Sequence, residues 1–234
     1  MDNITHSLFA LALGGAGLGR AGRGSTAAIL IASNIPDIEV LTTLTGGRVE
    51  YLAVHRGPTH GPLGLGLAVA TAAGVWIWVR ARKKAAPPAT FLSLLLLSAL
   101  GFAGHVALDL ATSYGTRALD PFTNTWFGID LMPILDPYLW IILLGGVVAG
   151  LARPAWRARA AVIALALMAG DYALHAAAHA AALGEAAARQ QMAVPGSVAR
   201  VARVFHYRDG DDPAALPAAL PTPLSPFTWR LVMR

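Results

Sequence analysis

The sequence contains no cysteine. That excludes disulfides and thiolate metal sites, so any metal must be held by histidine, aspartate, glutamate or backbone. Charge is scarce as well. Only 13% of the 234 residues are charged and 56% are hydrophobic, whereas roughly a quarter of the residues in a soluble domain are charged. Such a composition reads as an integral membrane protein. Met1-Asp2-Asn3 lacks a basic leader, so no cleaved secretory signal is expected. A Gly-x-Ser-x-Gly elbow, a phosphate loop and a dinucleotide fingerprint are all missing, which excludes three common catalytic or nucleotide-binding scaffolds. The formal charge of +5 does not argue for nucleic-acid binding, and none is expected, because the basic residues gather in loops between apolar runs.

Six apolar segments cover roughly 4–19, 25–44, 60–80, 90–112, 135–152 and 157–183. A full crossing needs ~20 residues. The third, fourth and sixth segments satisfy this and the fifth is marginal. The first two are short or, at Pro36, interrupted, and are expected to pack as a helical hairpin. The sequence therefore predicts an all-α, polytopic transmembrane bundle of about four to six membrane segments over 1–183. An extramembrane C-terminal tail follows over 184–234, with a short helix near 184–193 and a strand near 197–207. Loops 20–24, 80–89 and 153–159 hold nine of the chain's 18 basic residues and none of its 13 acidic ones. By the positive-inside rule they face the cytoplasm. The opposite segment ends then face the periplasm of a bacterial inner membrane.

Those outer ends carry the chemistry: His6, Asp37, His55, His60, His105, Asp109 and Asp136. Ionisable side chains at such depth are costly, and their presence points to function. In His55-Arg56-Gly57-Pro58-Thr59-His60 the Gly-Pro pair breaks regular structure. Thr59 can then cap a helix starting near His60, and Arg56 is a fixed cation able to clamp a carboxylate or phosphate. His105 and Asp109, four apart on a helix, share a face. A mixed imidazole and carboxylate set suits Zn²⁺, with Mn²⁺ as an alternative. Six ligands exceed what one catalytic zinc uses, so one or two ions fit. The competing reading is a set of His–Asp pairs that only glue helices together. Asp171, His175 and His179 follow at four-residue steps in segment six. They read as a polar seam or an outer layer around the first site, with a separate ligand set as the alternative. Loop 113–134 is apolar for a loop and is expected to cover the cavity mouth, with Trp126 and Tyr138 in the aromatic belt.

The combination of Met1-Asp2…Thr5-His6, Pro36-Asp37, His55-Arg56-Gly57-Pro58-Thr59-His60, His105-x3-Asp109, Ser113-Tyr114-Gly115-Thr116, Asp120-Pro121-Phe122 and Asp136-Pro137 resembles the YdjM-like family of membrane-bound, metal-dependent hydrolases. The tail run from Pro223 to Arg230 also resembles a family feature. The order His, Asp, His, His-x3-Asp more distantly resembles the zinc-dependent phospholipase C and single-strand nuclease group, which implies phosphoester chemistry. These resemblances imply a metal-dependent hydrolase acting on a lipid-like phosphoester at the bilayer. His6, Asp37, His55, His60, His105 and Asp109 are then the expected ligands. Arg56 and Arg117 are the expected clamps, and Asp136 a supporting partner or general base. A metal-binding or transport protein is the alternative. A pathway would place ionisable groups through the whole membrane depth, whereas the inner halves of the segments are almost purely apolar.

Overall fold

The computed structural model describes residues 1–82, 84, 86–193, 206–208, 218–223 and 225–232. Helix α1 (Asn3–Ala16) starts at Asp2, whose carboxylate accepts the Ile4 and Thr5 amides that no helical carbonyl can reach. Helix α2 (Ser25–Ala32) stops at Ser33-Asn34, and Pro36 opens a 3-10 helix (Ile35–Leu44) bent by 50° from it. A short helix α3 (Gly47–Val54) follows, then α4 (Gly64–Ala81) and α5 (Phe91–Leu110), the latter capped by Thr90. Helix α6 (Pro137–Ala152) is capped by Asp136 and carries its proline where a missing amide costs nothing. Helix α7 (Arg157–Ala193) absorbs the short tail helix expected near 184–193 as its own last turns. Most of the strand expected near 197–207 lies outside the described residues.

Helices α4 and α5 and the 154–186 stretch are long and apolar enough to cross a membrane, and the bent α2 pair makes up to a fourth crossing. The protein is thus a polytopic helical membrane bundle. Its faces agree: Leu92, Leu96, Ile141, Leu151 and Ile163 stand exposed along the outside, where lipid tails replace water. Inside, Leu8, Leu108, Met132, Leu139, Leu143 and Met168 join α1, α5, α6 and α7. A second cluster of Ala28, Ala72, Val75, Val79 and Leu94 joins α2, α4 and α5. Small residues set the spacing between helices. A side chain at Gly101 would put its Cβ 2.6 Å from the Ile29 carbonyl.

The basic loops meet at one end. Arg23 donates to the Val79 and Arg82 carbonyls at 2.6 and 2.8 Å, joining loop 20–24 to loop 80–89. Gly15, near the end of α1, lies against Arg157 and Ala161. The residues discussed below cluster at the other end. The described residues also form two small antiparallel sheets: β1 (Trp126–Gly128) with β2 (His206–Arg208), and β3 (Ala218–Thr222) with β4 (Ser225–Val232). The β3–β4 hairpin packs on α7.

One local expectation is corrected. Thr59 does not cap helix α4, which begins only at Gly64. The Thr59 hydroxyl donates instead to Glu39 Oε2 at 2.6 Å, a stronger partner than a backbone amide because it is charged.

Candidate metal centre

Four side chains converge from three parts of the chain: Asp37 of the 3-10 helix, His60 of the turn before α4, and His105 and Asp109 of α5. Their separations are short. His60 Nε2 lies 3.0 Å from His105 Nε2, 3.2 Å from Asp109 Oδ2 and 3.5 Å from Asp37 Oδ1. His105 Nε2 lies 3.4 Å from Asp109 Oδ2 and 3.7 Å from Asp37 Oδ1.

The surrounding bonds decide which atoms face inward. His105 Nδ1 donates to the Ser33 carbonyl at 2.8 Å, so its Nε2 carries a bare lone pair. His60 Nδ1 lies 3.1 Å from Thr59 Oγ1, whose own proton is given to Glu39. Nδ1 is therefore the donor there, and in the neutral ring Nε2 is again bare. On Asp109, Oδ1 receives the Met1 ammonium and Arg56 Nη2, the latter at 3.0 Å, while Oδ2 is buried with no hydrogen-bond partner. Two imidazole nitrogens 3.0 Å apart beside a buried carboxylate oxygen with no hydrogen-bond partner form an arrangement that a positive charge between them, a shared proton or a metal ion, relieves. A tetrahedral ion with bonds of about 2.1 Å separates its ligand atoms by about 3.4 Å, which the observed spacings match. The donors present therefore fit a divalent metal. Burial opposes a charge on His60, yet Asp109 and Asp37 outweigh it and raise its pKa above the ordinary value. A proton and a metal compete for that edge. Burial lowers the pKa of the Met1 ammonium, against the opposing pull of Asp109.

His6 adjoins this group. Its ring stacks on His105 at 3.9 Å, its Nε2 lies 3.4 Å from Asp109 Oδ1, and neither ring nitrogen has a hydrogen-bond partner. His55 stands apart. Arg56 takes a left-handed backbone with φ 52°, which turns the chain between the two histidines and sends His55 to Glu39 Oε1 at 2.7 Å. The two terminal nitrogens of Arg56 are engaged, reaching Asp109, Thr112 Oγ1 at 3.1 Å and the Gly115 carbonyl at 2.8 Å, while its buried Nε has no hydrogen-bond partner. It aims Asp109 rather than facing an open cavity. Arg117 donates to the Ala53 and His55 carbonyls and lies over Trp126, pinning the long loop to the end of α3. Asp136 lies with Asp171 and His175 in a separate group.

Glu39 is the functional candidate that sequence reasoning missed. It is 5% exposed, and its carboxylate gathers the His55 imidazole, the Arg56 amide at 2.7 Å and the Thr59 hydroxyl. It thereby holds the whole turn that carries His60. The available signal was a second acid two residues beyond Asp37.

Fold and site together define a helical membrane protein with a buried His/Asp group able to hold a metal. The chain belongs to the YdjM inner membrane protein family, whose sequence profile matches residues 1–183. It is also 32% identical over 156 residues to the uncharacterized protein YfhP of Bacillus subtilis (strain 168), an alignment covering 63% of this chain and 45% of YfhP. The chain thus spans less than half of that relative's length. No solved structure matches it.

Proposed function

We propose that this protein is a metal-dependent hydrolase whose centre faces the periplasm and whose substrate is a lipid-like phosphoester. The observation that carries the reading is the convergence of two bare imidazole nitrogens on the orphaned Asp109 Oδ2, with Asp37 beside them. Asp37, His60, His105 and Asp109 would hold the ion, with His6 next in reach. The donor set favours zinc. When bound there, the ion supplies Lewis acidity toward the scissile group and acidifies water.

The chain's own residues do the rest. Glu39 and Thr59 keep the His60 proton on Nδ1, the Ser33 carbonyl does the same for His105, and Arg56 holds Asp109 in place. Asp37 is the one member of the group with an exposed edge, at 17% against 0–1% for the others, so substrate approaches on its side. That side is flanked by Ile38, Leu41 and Leu44 of the 3-10 helix and by Leu63 and Leu65 at the start of α4, all exposed. An acyl or prenyl chain fits beside them, with its phosphate at the centre. Between the centre and the basic loops, α1, α2 and α5 carry no ionisable residue, which favours a one-sided catalytic site over an ion pathway.

The test is release of phosphate or head group from vesicles of phospholipids and prenyl phosphates by the purified, metal-loaded chain. A chelator and His60→Ala should each abolish it. Cleavage of ester or amide lipids alone would remove the phosphoester assignment. No turnover on any lipid panel would remove the hydrolase reading itself.

A further inference from the structure

Asp136, Asp171 and His175 form a second group, where the start of α6 meets the outer half of α7, and their ligand atoms all lie within 4.8 Å of one another. Asp136 Oδ1 is used up as the cap of α6, accepting from Tyr138 and Leu139 at 2.8 and 3.1 Å. Its Oδ2 remains, 4.0 Å from His175 Nε2. His175 Nδ1 gives its proton to the Asp171 carbonyl one turn back, at 3.0 Å, so Nε2 presents a lone pair. Asp171 Oδ2 is buried with no hydrogen-bond partner, on a side chain 10% exposed. Asp136 and His175 are each 1% exposed. Among the described residues, His175 is the one basic side chain within ion-pair distance of either carboxylate. Asp136 Oδ2 thus faces the bare Nε2, and Asp171 Oδ2 lies 3.5 Å from Nδ1 on the other side of the ring. Two buried carboxylates against one imidazole, with no arginine or lysine among the described residues to balance them, are costly unless a cation sits among them.

We propose that Asp136, Asp171 and His175 bind a second divalent transition metal, separate from the centre at Asp109. Three protein donors of mixed imidazole and carboxylate type suit zinc or a similar ion and leave one position open. The site ties the start of α6 to the middle of α7. Its outer cover is the C-terminal hairpin, where Trp229 stacks on His179 at 4.9 Å and meets the edge of His175 at 6.5 Å. The metal therefore fastens the start of α6 to α7 beneath the strand pair, a role independent of the hydrolytic reading.

The test uses the full chain in detergent, stripped with chelator and re-equilibrated with zinc. Asp171→Asn and His175→Gln should each lower zinc content by about one equivalent per chain, while Leu174→Ala, an exposed neighbour, keeps it. His105→Ala should lose a different equivalent and leave this one in place. Co²⁺ titration adds a local readout: quenching absent from Trp229→Phe should also be absent from His175→Gln. Unchanged zinc content in Asp171→Asn or His175→Gln overturns the proposal. So does an equal loss in Leu174→Ala, which would mark a folding effect, or Trp229 quenching that persists in His175→Gln.

Discussion

Replacing Glu39 by glutamine preserves its volume and removes the charge shared by the His55 imidazole, the Arg56 amide and the Thr59 hydroxyl. The carboxylate acts one step behind the ligand His60, and partners of that kind are worth about 10–100-fold in metal affinity. Glu39→Gln should therefore weaken zinc binding by about that factor in a competition titration, while the far-ultraviolet circular dichroism stays helical. Wild-type affinity in the variant would remove Glu39 from the account. The sequence showed His105 and Asp109 as a pair because four-residue spacing on a helix puts two side chains on one face. It hid Glu39 because the acid sits inside an apolar run. At three residues per 3-10 turn, positions 37 and 39 also lie about 120° apart around the axis, so one acid reaches the metal group and the other the turn. It did not show that His55 pairs with Glu39, because the left-handed backbone at Arg56 turns the chain between the two histidines. A non-glycine residue in that conformation could not be read from composition.

Helices α2 and α5 touch through Gly101, and the contact serves the site as well as the packing. The Ser33 hydroxyl donates to the Gly101 carbonyl at 3.1 Å, and the Ser33 carbonyl accepts from His105. In Gly101→Val the new Cβ would fall 2.6 Å from the Ile29 carbonyl, forcing the helices apart. The expected outcome is a loss of about 1–3 kcal/mol in stability together with weaker metal retention, read by unfolding in detergent and by metal analysis. Gly66 has open space around its position, so Gly66→Ala should be close to neutral in both. The six apolar segments were legible because length and composition set them. Helix α3 was not, being eight residues long and mixed in polarity. Nor could the contacting faces be read. In a membrane bundle the lipid-facing and core-facing sides are both apolar, so periodicity carries little information.

At the scale of the whole molecule, the basic loops lie at one end and the metal group at the other, and only their sum along the sequence shows it. The proposed orientation has a direct check in this cysteine-free chain. Asn124→Cys should react with an impermeant thiol reagent in intact cells, and Lys84→Cys only after lysis; the reverse pattern would invert the topology. Pairings distant in sequence, such as Arg56 with Asp109 and Asp136 with His175, stayed illegible, since no local pattern specifies which helix meets which. The central claim is that Asp37, His60, His105 and Asp109 hold a metal. The measurement that tests it most directly is anomalous diffraction at the zinc edge from protein purified without chelator. The predicted result is a peak about 2.0–2.2 Å from His60 Nε2, His105 Nε2, Asp109 Oδ2 and Asp37 Oδ1. A well-ordered structure with no peak among these four atoms, at the zinc edge or at that of any other first-row metal, would contradict it.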